Sequence, residues 1–102
     1  MAIDKISDIL KKTKIFKAMG NPTRFRIMKV LCENKYCVCE LTDMAGLDTS
    51  TVSKHLSVLE NAGLVEGQRK GKEVYYRIKC TQIGELFKCV EKIVNCNNLK
   101  TQ

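Results

Sequence analysis

Residues 38–63 read VCELTDMAGLDTSTVSKHLSVLENAG, and this stretch decides the architecture. A short run from about Val38 to Ala45 has helical spacing and stops at Gly46. Gly46-Leu47-Asp48 is a tight turn, and Asp48 or Thr49 caps a second, longer helix. Val52, Leu56 and Leu59 share one face of that helix, which spans about 49–62 and stops at Asn61-Ala62-Gly63. A short helix, a glycine-containing turn and a longer helix form a helix-turn-helix.

Past Gly63 the period changes. Leu64 to Arg69 is short and extended, and Glu73-Val74-Tyr75-Tyr76-Arg77-Ile78 alternates and is rich in β-formers. Tyr75 and Tyr76 point to opposite faces, which makes one core and the other partly exposed. Between the runs, Arg69-Lys70-Gly71-Lys72 is a glycine turn flanked by bases, so residues of about 64–79 form a hairpin with a positive tip. A closing helix over about 82–96 carries Ile83, Leu86, Phe87, Val90, Ile93 and Val94, and the polar tail from Asn97 to Gln102 is expected to fray. On the N-terminal side, Ile3, Ile6, Ile9, Leu10, Ile15 and Phe16 predict a helix over about 3–18, broken by Gly20. Asn21-Pro22 opens the next helix, which ends near Asn34. The expected order is α-α-α-α-β-β-α: a mainly α winged helix-turn-helix, with residues 1–102 as one domain. The plain alternative is a tri-helical core with an ordinary hairpin.

Composition supports a nucleic-acid partner. The 102 residues carry 18 Lys and Arg against 11 Asp and Glu, a formal charge of +7. The excess is uneven: residues 1–35 are net +6, residues 36–48 net −3 and residues 49–79 net +3. A small basic domain suits a polyanion, nucleic acid before a membrane surface. No apolar run is long enough to span a bilayer, and the first residues have no secretory h-region, so a cytoplasmic protein without a membrane partner is expected. A single histidine, no tryptophan and no phosphate-cradling glycine loop argue against an enzyme.

Six cysteines, Cys32, Cys37, Cys39, Cys80, Cys89 and Cys96, form a disulfide framework only in an oxidising compartment. In a reducing one they are core fillers, metal ligands or redox sensors. Cys37 and Cys39, two residues apart, cannot share a face inside a regular helix. They converge only if Cys37 stands at or before a helix start, where the N-terminal dipole also favours thiolate. Two soft thiolates select As(III), Sb(III), Cd(II), Pb(II) or Zn(II) over Mg(II) or Ca(II). The plain alternative is that both are small hydrophobes closing a gap between helices.

Five segments together resemble the ArsR/SmtB family of winged-helix repressors. They are Asn21-Pro22-Thr23-Arg24, Cys37-Val38-Cys39-Glu40-Leu41, Ser50-Thr51-Val52-Ser53-Lys54-His55-Leu56, Leu59 through Val65, and Gly71-Lys72-Glu73-Val74-Tyr75-Tyr76-Arg77-Ile78. The resemblance covers about residues 5 to 95. Its Cys-Val-Cys-Glu-Leu segment looks like the arsenite- and antimonite-sensing branch, whose members are homodimeric repressors released from operator DNA by the inducer. This implies pairing of the first and last helices with those of a second copy, and double-stranded DNA as partner, with no cofactor needed for DNA binding. On the reading helix, Ser50, Thr51, Ser53 and Lys54 are the polar residues able to meet bases and phosphates. His55 is either a further contact or a boundary histidine bonded to backbone. Arg69, Lys70 and Lys72 are the phosphate contacts of the wing tip.

The chain departs from the family's fullest arsenic motif, for Thr42 stands where a third cysteine is expected. Residues 1–31 contain no cysteine, so the four-thiolate site of the cadmium/lead branch cannot be assembled in that way. The closing helix lacks the His and Asp pattern of the zinc-sensing branch. A third thiol must come from Cys32, Cys80, Cys89 or Cys96. Two further readings keep the DNA module: a thiol redox or persulfide switch, and a constitutive DNA-binding protein with inert cysteines.

Overall fold

Side chains cap the starts of two helices, Asn21 before the second and Asp48 before the fourth, whereas the first begins without a side-chain cap. The computed structural model describes the backbone of residues 3–101 and the side chains of residues 3–97. Helix α1 spans Ile6–Met19, starting three residues after the expected Ile3 because Lys5 is extended at φ −61°, ψ 148°. Helix α2 spans Pro22–Leu31, where the Asn21 carboxamide oxygen accepts from the Thr23 and Arg24 amides at 2.9 and 3.1 Å. It ends before the expected Asn34, whose side chain instead accepts from the Lys35 amide at 2.9 Å. Helix α3 spans Val38–Ala45, and Gly46 closes it in the left-handed conformation at φ 67°, its amide bonded to the Thr42 carbonyl. Helix α4 spans Thr49–Asn61 behind the Asp48 cap.

The expected strand pair is present, with β2 at Val65–Lys70 and β3 at Glu73–Ile78. Lys70 pairs with Glu73 across a two-residue turn. Gly71 has φ 61° and Lys72 a negative φ, the pattern of a type II′ turn, which requires glycine at its first central position. One element lies outside the expected order: Tyr36–Cys37 forms a short strand β1, so the order is α-α-β-α-α-β-β-α. It joins the sheet beside β3, in the order β1-β3-β2, with Tyr36 opposite Tyr76 and Cys37 opposite Tyr75. Tyr75 and Tyr76 are both half-buried, and Tyr76 packs against the core. Helix α5 spans Ile83–Thr101, so the tail expected to fray after Asn97 continues as helix; Gln102 lies outside the described residues.

One apolar cluster binds these elements. Val52, Leu56 and Leu59 of α4 are fully excluded from solvent against Met28 and Leu41. Phe25 of α2 meets Phe87 of α5 edge-to-face at 5.0 Å. By contrast Ile6, Leu10 and Phe16 of α1 and Ile93 and Val94 of α5 remain exposed. Among the described residues, no helix is long and apolar enough to cross a membrane.

Candidate nucleic-acid interface and thiol site

The core decides which face α4 presents outward. With Val52, Leu56 and Leu59 turned in, Ser50, Ser53 and Lys54 are exposed and Thr51 is half-buried. The Asp48 carboxylate accepts from the Thr51 amide at 2.8 Å and from the Ser50 hydroxyl at 3.3 Å. Hydrogen bonds from Thr51, its hydroxyl first and then its amide, hold the Asp48 pKa below the usual carboxylate range. They also order the first turn of α4, where Ser50 and Thr51 stand. The wing tip presents Arg69, Lys70 and Lys72 to solvent, with Arg69 Nε donating to the Gly71 carbonyl at 3.4 Å.

His55 is bonded to a side chain rather than to backbone. Arg24 Nη1 lies 3.2 Å from His55 Nδ1, and Arg24 Nε donates to the Ala18 carbonyl at 2.6 Å. Arginine has no acceptor, so Nδ1 accepts and the proton of the neutral ring sits on Nε2. Burial first, and the Arg24 charge second, push the His55 pKa down. Arg24 thus links the last turn of α1 to α2 and α4, a role that appears only once the three helices are packed.

The thiol pair lies where α3 begins. Cys37 is its N-cap, extended at φ −80°, ψ 164°, and the Glu40 carboxylate accepts from the Cys37 amide at 3.0 Å. Cys37 is buried and Cys39 exposed. The sulfurs of Cys37 and Cys39 and a carboxylate oxygen of Glu73 all lie within 4.8 Å of one another. Cys39 donates its thiol proton to Glu73 Oε2 at 2.9 Å. That bond opposes thiolate formation at Cys39. The carboxylate first, and then Cys37, push its pKa up to about 12.

Cys32, Cys80, Cys89 and Cys96 are exposed free thiols outside this group; partial desolvation, and then the Glu33 charge, raise the Cys32 pKa. Thr42, one helical turn after Cys39, has a buried hydroxyl with no hydrogen-bond partner among the described residues. Glu73 was not anticipated. Nothing in the sequence signals the two-residue strand that brings the cysteines beside the start of β3.

The profile of the arsR family of bacterial regulatory proteins matches residues 21–67. An uncharacterized HTH-type transcriptional regulator of Methanocaldococcus jannaschii is 38% identical over 84 residues, 81% of this chain and 94% of its own length. The arsenic resistance transcriptional regulator ArsR1 of Pseudomonas putida is 39% identical over 72 residues, 70% of this chain but only 56% of its own length. Among solved structures, a homodimeric winged helix-turn-helix DNA-binding domain of Mycobacterium bovis, described as a possible ArsR-family regulator, superposes with a TM-score of 0.80. It is 28% identical, and the match covers 99% of this chain and 94% of that one.

Proposed function

The chain belongs to the arsR family of bacterial regulatory proteins, and from this premise we propose that it is a homodimeric repressor released from operator DNA by a thiophilic ion at Cys37 and Cys39. It is a transcriptional regulator and not an enzyme. The observation that carries the effector reading is the convergence of both sulfurs at the start of α3, one short helix before the turn into α4. Ligation there displaces the element that abuts the reading helix. A tenfold loss of DNA affinity needs about 1.4 kcal/mol of coupling, within the usual allosteric range.

Ser50, Thr51, Ser53, Lys54 and His55 supply the contacts of α4, and Arg69, Lys70 and Lys72 those of the wing. The exposed apolar residues of α1 and α5 supply the dimer surface. Phe16, Met19, Phe25, Leu86, Phe87 and Val90 line an open groove bounded by α1, α2 and α5, and an apolar face of this kind marks an interaction surface. The resemblance and the arsenic-resistance relative make arsenite and antimonite the first inducers to test, with Cd(II), Pb(II) and Zn(II) next.

The test is fluorescence anisotropy with DNA from upstream of the protein's own coding sequence, using reduced protein at fixed salt. Arsenite, antimonite and Cd(II) are titrated in turn, with Cys37→Ser and Cys39→Ser as controls. Release of the parent protein by at least one of these ions, but of neither variant, is expected. Tight binding that no ion reverses refutes the effector. Failure to bind that DNA or any selected from a random pool refutes the repressor.

A further inference from the structure

The family resemblance points to three thiolates around As(III), but the chain assembles two thiols and a carboxylate. We infer that Glu73 is the third ligand of the Cys37/Cys39 site, and that its oxygen makes the site one for a soft-to-borderline divalent cation, Cd(II), Zn(II) or Pb(II), rather than for As(III). The inference rests on the thiol-site reading above and adds to it a ligand from the wing and a class of ion.

Strand register puts Glu73 there. Cys37 pairs with Tyr75, and Glu73, two residues before Tyr75, projects from the same face of β3. The outcome is the 2.9 Å contact from Cys39 to Glu73 and three donor atoms within 4.8 Å of one another. For Zn(II), ligand bonds are about 2.3 Å from sulfur and about 2.0–2.2 Å from carboxylate oxygen, so two donors on one ion stand at most about 4.6 Å apart, and the larger Cd(II) and Pb(II) allow a wider spacing. The donors need only small side-chain movements to close on an ion.

Glu40 is the carboxylate that sequence proximity favours, yet it caps the Cys37 amide and is not in the group. Among the described residues Glu73 forms no ion pair, although Lys70 is its register partner. Its carboxylate is committed to the thiol instead. Soft As(III) prefers thiolates throughout, whereas mixed sulfur and oxygen donors suit soft-to-borderline divalent ions. On binding, the cation displaces the thiol protons of Cys37 and Cys39 to solvent and takes a lone pair from the carboxylate already present. Two protons leave and nothing is oxidised or reduced. Because Glu73 opens β3 directly after the Gly71-Lys72 turn and opposite Lys70, the bound ion joins α3 to the base of the wing tip.

The test is chelator-competed titration of Cd(II) into the reduced full-length protein, followed by thiolate-to-metal charge-transfer absorbance, with arsenite titrated in parallel. Glu73→Gln removes the charge and keeps the shape; Glu73→Ala also removes the amide oxygen that could ligate in its place. Both are expected to weaken Cd(II) by roughly tenfold to a hundredfold, the range typical of lost metal-site partners, and to leave arsenite unchanged and the melting temperature near that of the parent. Cys37→Ser and Cys39→Ser are expected to lose Cd(II) outright. If both Glu73 variants bind Cd(II) within twofold of the parent, or lose arsenite equally, the role of Glu73 is overturned while the thiol site stands. If the cysteine variants bind Cd(II) like the parent, or the parent does not bind it, the thiol site itself falls and Glu73 with it.

Discussion

Replacing Arg24 by alanine removes two contacts that join three helices. The guanidinium donates to the Ala18 carbonyl at 2.6 Å and meets His55 Nδ1 at 3.2 Å. Hydrogen bonds to charged groups contribute about 1.5–3 kcal/mol each, and partial exposure discounts each of these two to about 1 kcal/mol, near 2 kcal/mol in total. For a chain of this size that is a fall in melting temperature of roughly 8–16 °C.

A second signature is pH dependence. His55 is held below its ordinary value of 6.5 by burial and then by Arg24. The unfolded chain therefore binds the proton more readily than the folded one. The stability from a neutral His55 is fully present above 6.5 and is lost as pH falls through the lower folded-state value. His55 is the chain's single histidine, so this window belongs to it. Chemical unfolding between pH 8 and 5, at one protein concentration because dimerisation adds stability, measures both effects. Arg24→Ala should lower stability throughout and flatten part of the slope; His55→Gln should abolish the slope. A loss below about 0.5 kcal/mol for Arg24→Ala, which is the spread of neutral surface changes, refutes the linking role. A slope that persists in His55→Gln refutes the proton argument.

Leu56→Ala, at a fully buried position, should cost about 3–5 kcal/mol in denaturant unfolding. Lys54→Ala, two residues away but exposed, should leave unfolding unchanged and weaken DNA binding; equal stability losses would contradict the orientation of α4. Gly67→Ala should destabilise by about 1–3 kcal/mol, because an added Cβ would lie 3.0 Å from the Tyr76 ring and 3.2 Å from Val74. An unchanged midpoint would mean that the ring yields freely. Changing Arg69, Lys70 or Lys72 singly to alanine should reduce the salt slope of DNA binding by roughly one unit for each phosphate contact removed. An unaltered slope in all three would take the wing off the DNA.

Local signals carried most of the architecture. Helical period, the Asn21-Pro22 start, Gly46, Gly63 and the alternation over 73–78 are events within a few residues, and each lies where expected. Boundaries that depend on chain packing moved: α1 starts later, α2 stops earlier and α5 runs on. Cys37 and Cys39 were legible as a pair because an N-cap position resolves the mismatch of two residues on one helix.

What the sequence by itself determined is therefore the order of helices, the face of α4 that points outward, the basic wing tip and the two sulfurs. Tertiary structure alone decided their partners. A two-residue strand has no period to detect, yet its pairing with β3 sets Glu73 beside Cys39, 34 residues away. Arg24 reaches His55 across 31 residues for the same kind of reason. Contacts between such distant positions arise from the packing of whole elements, which local spacing does not encode.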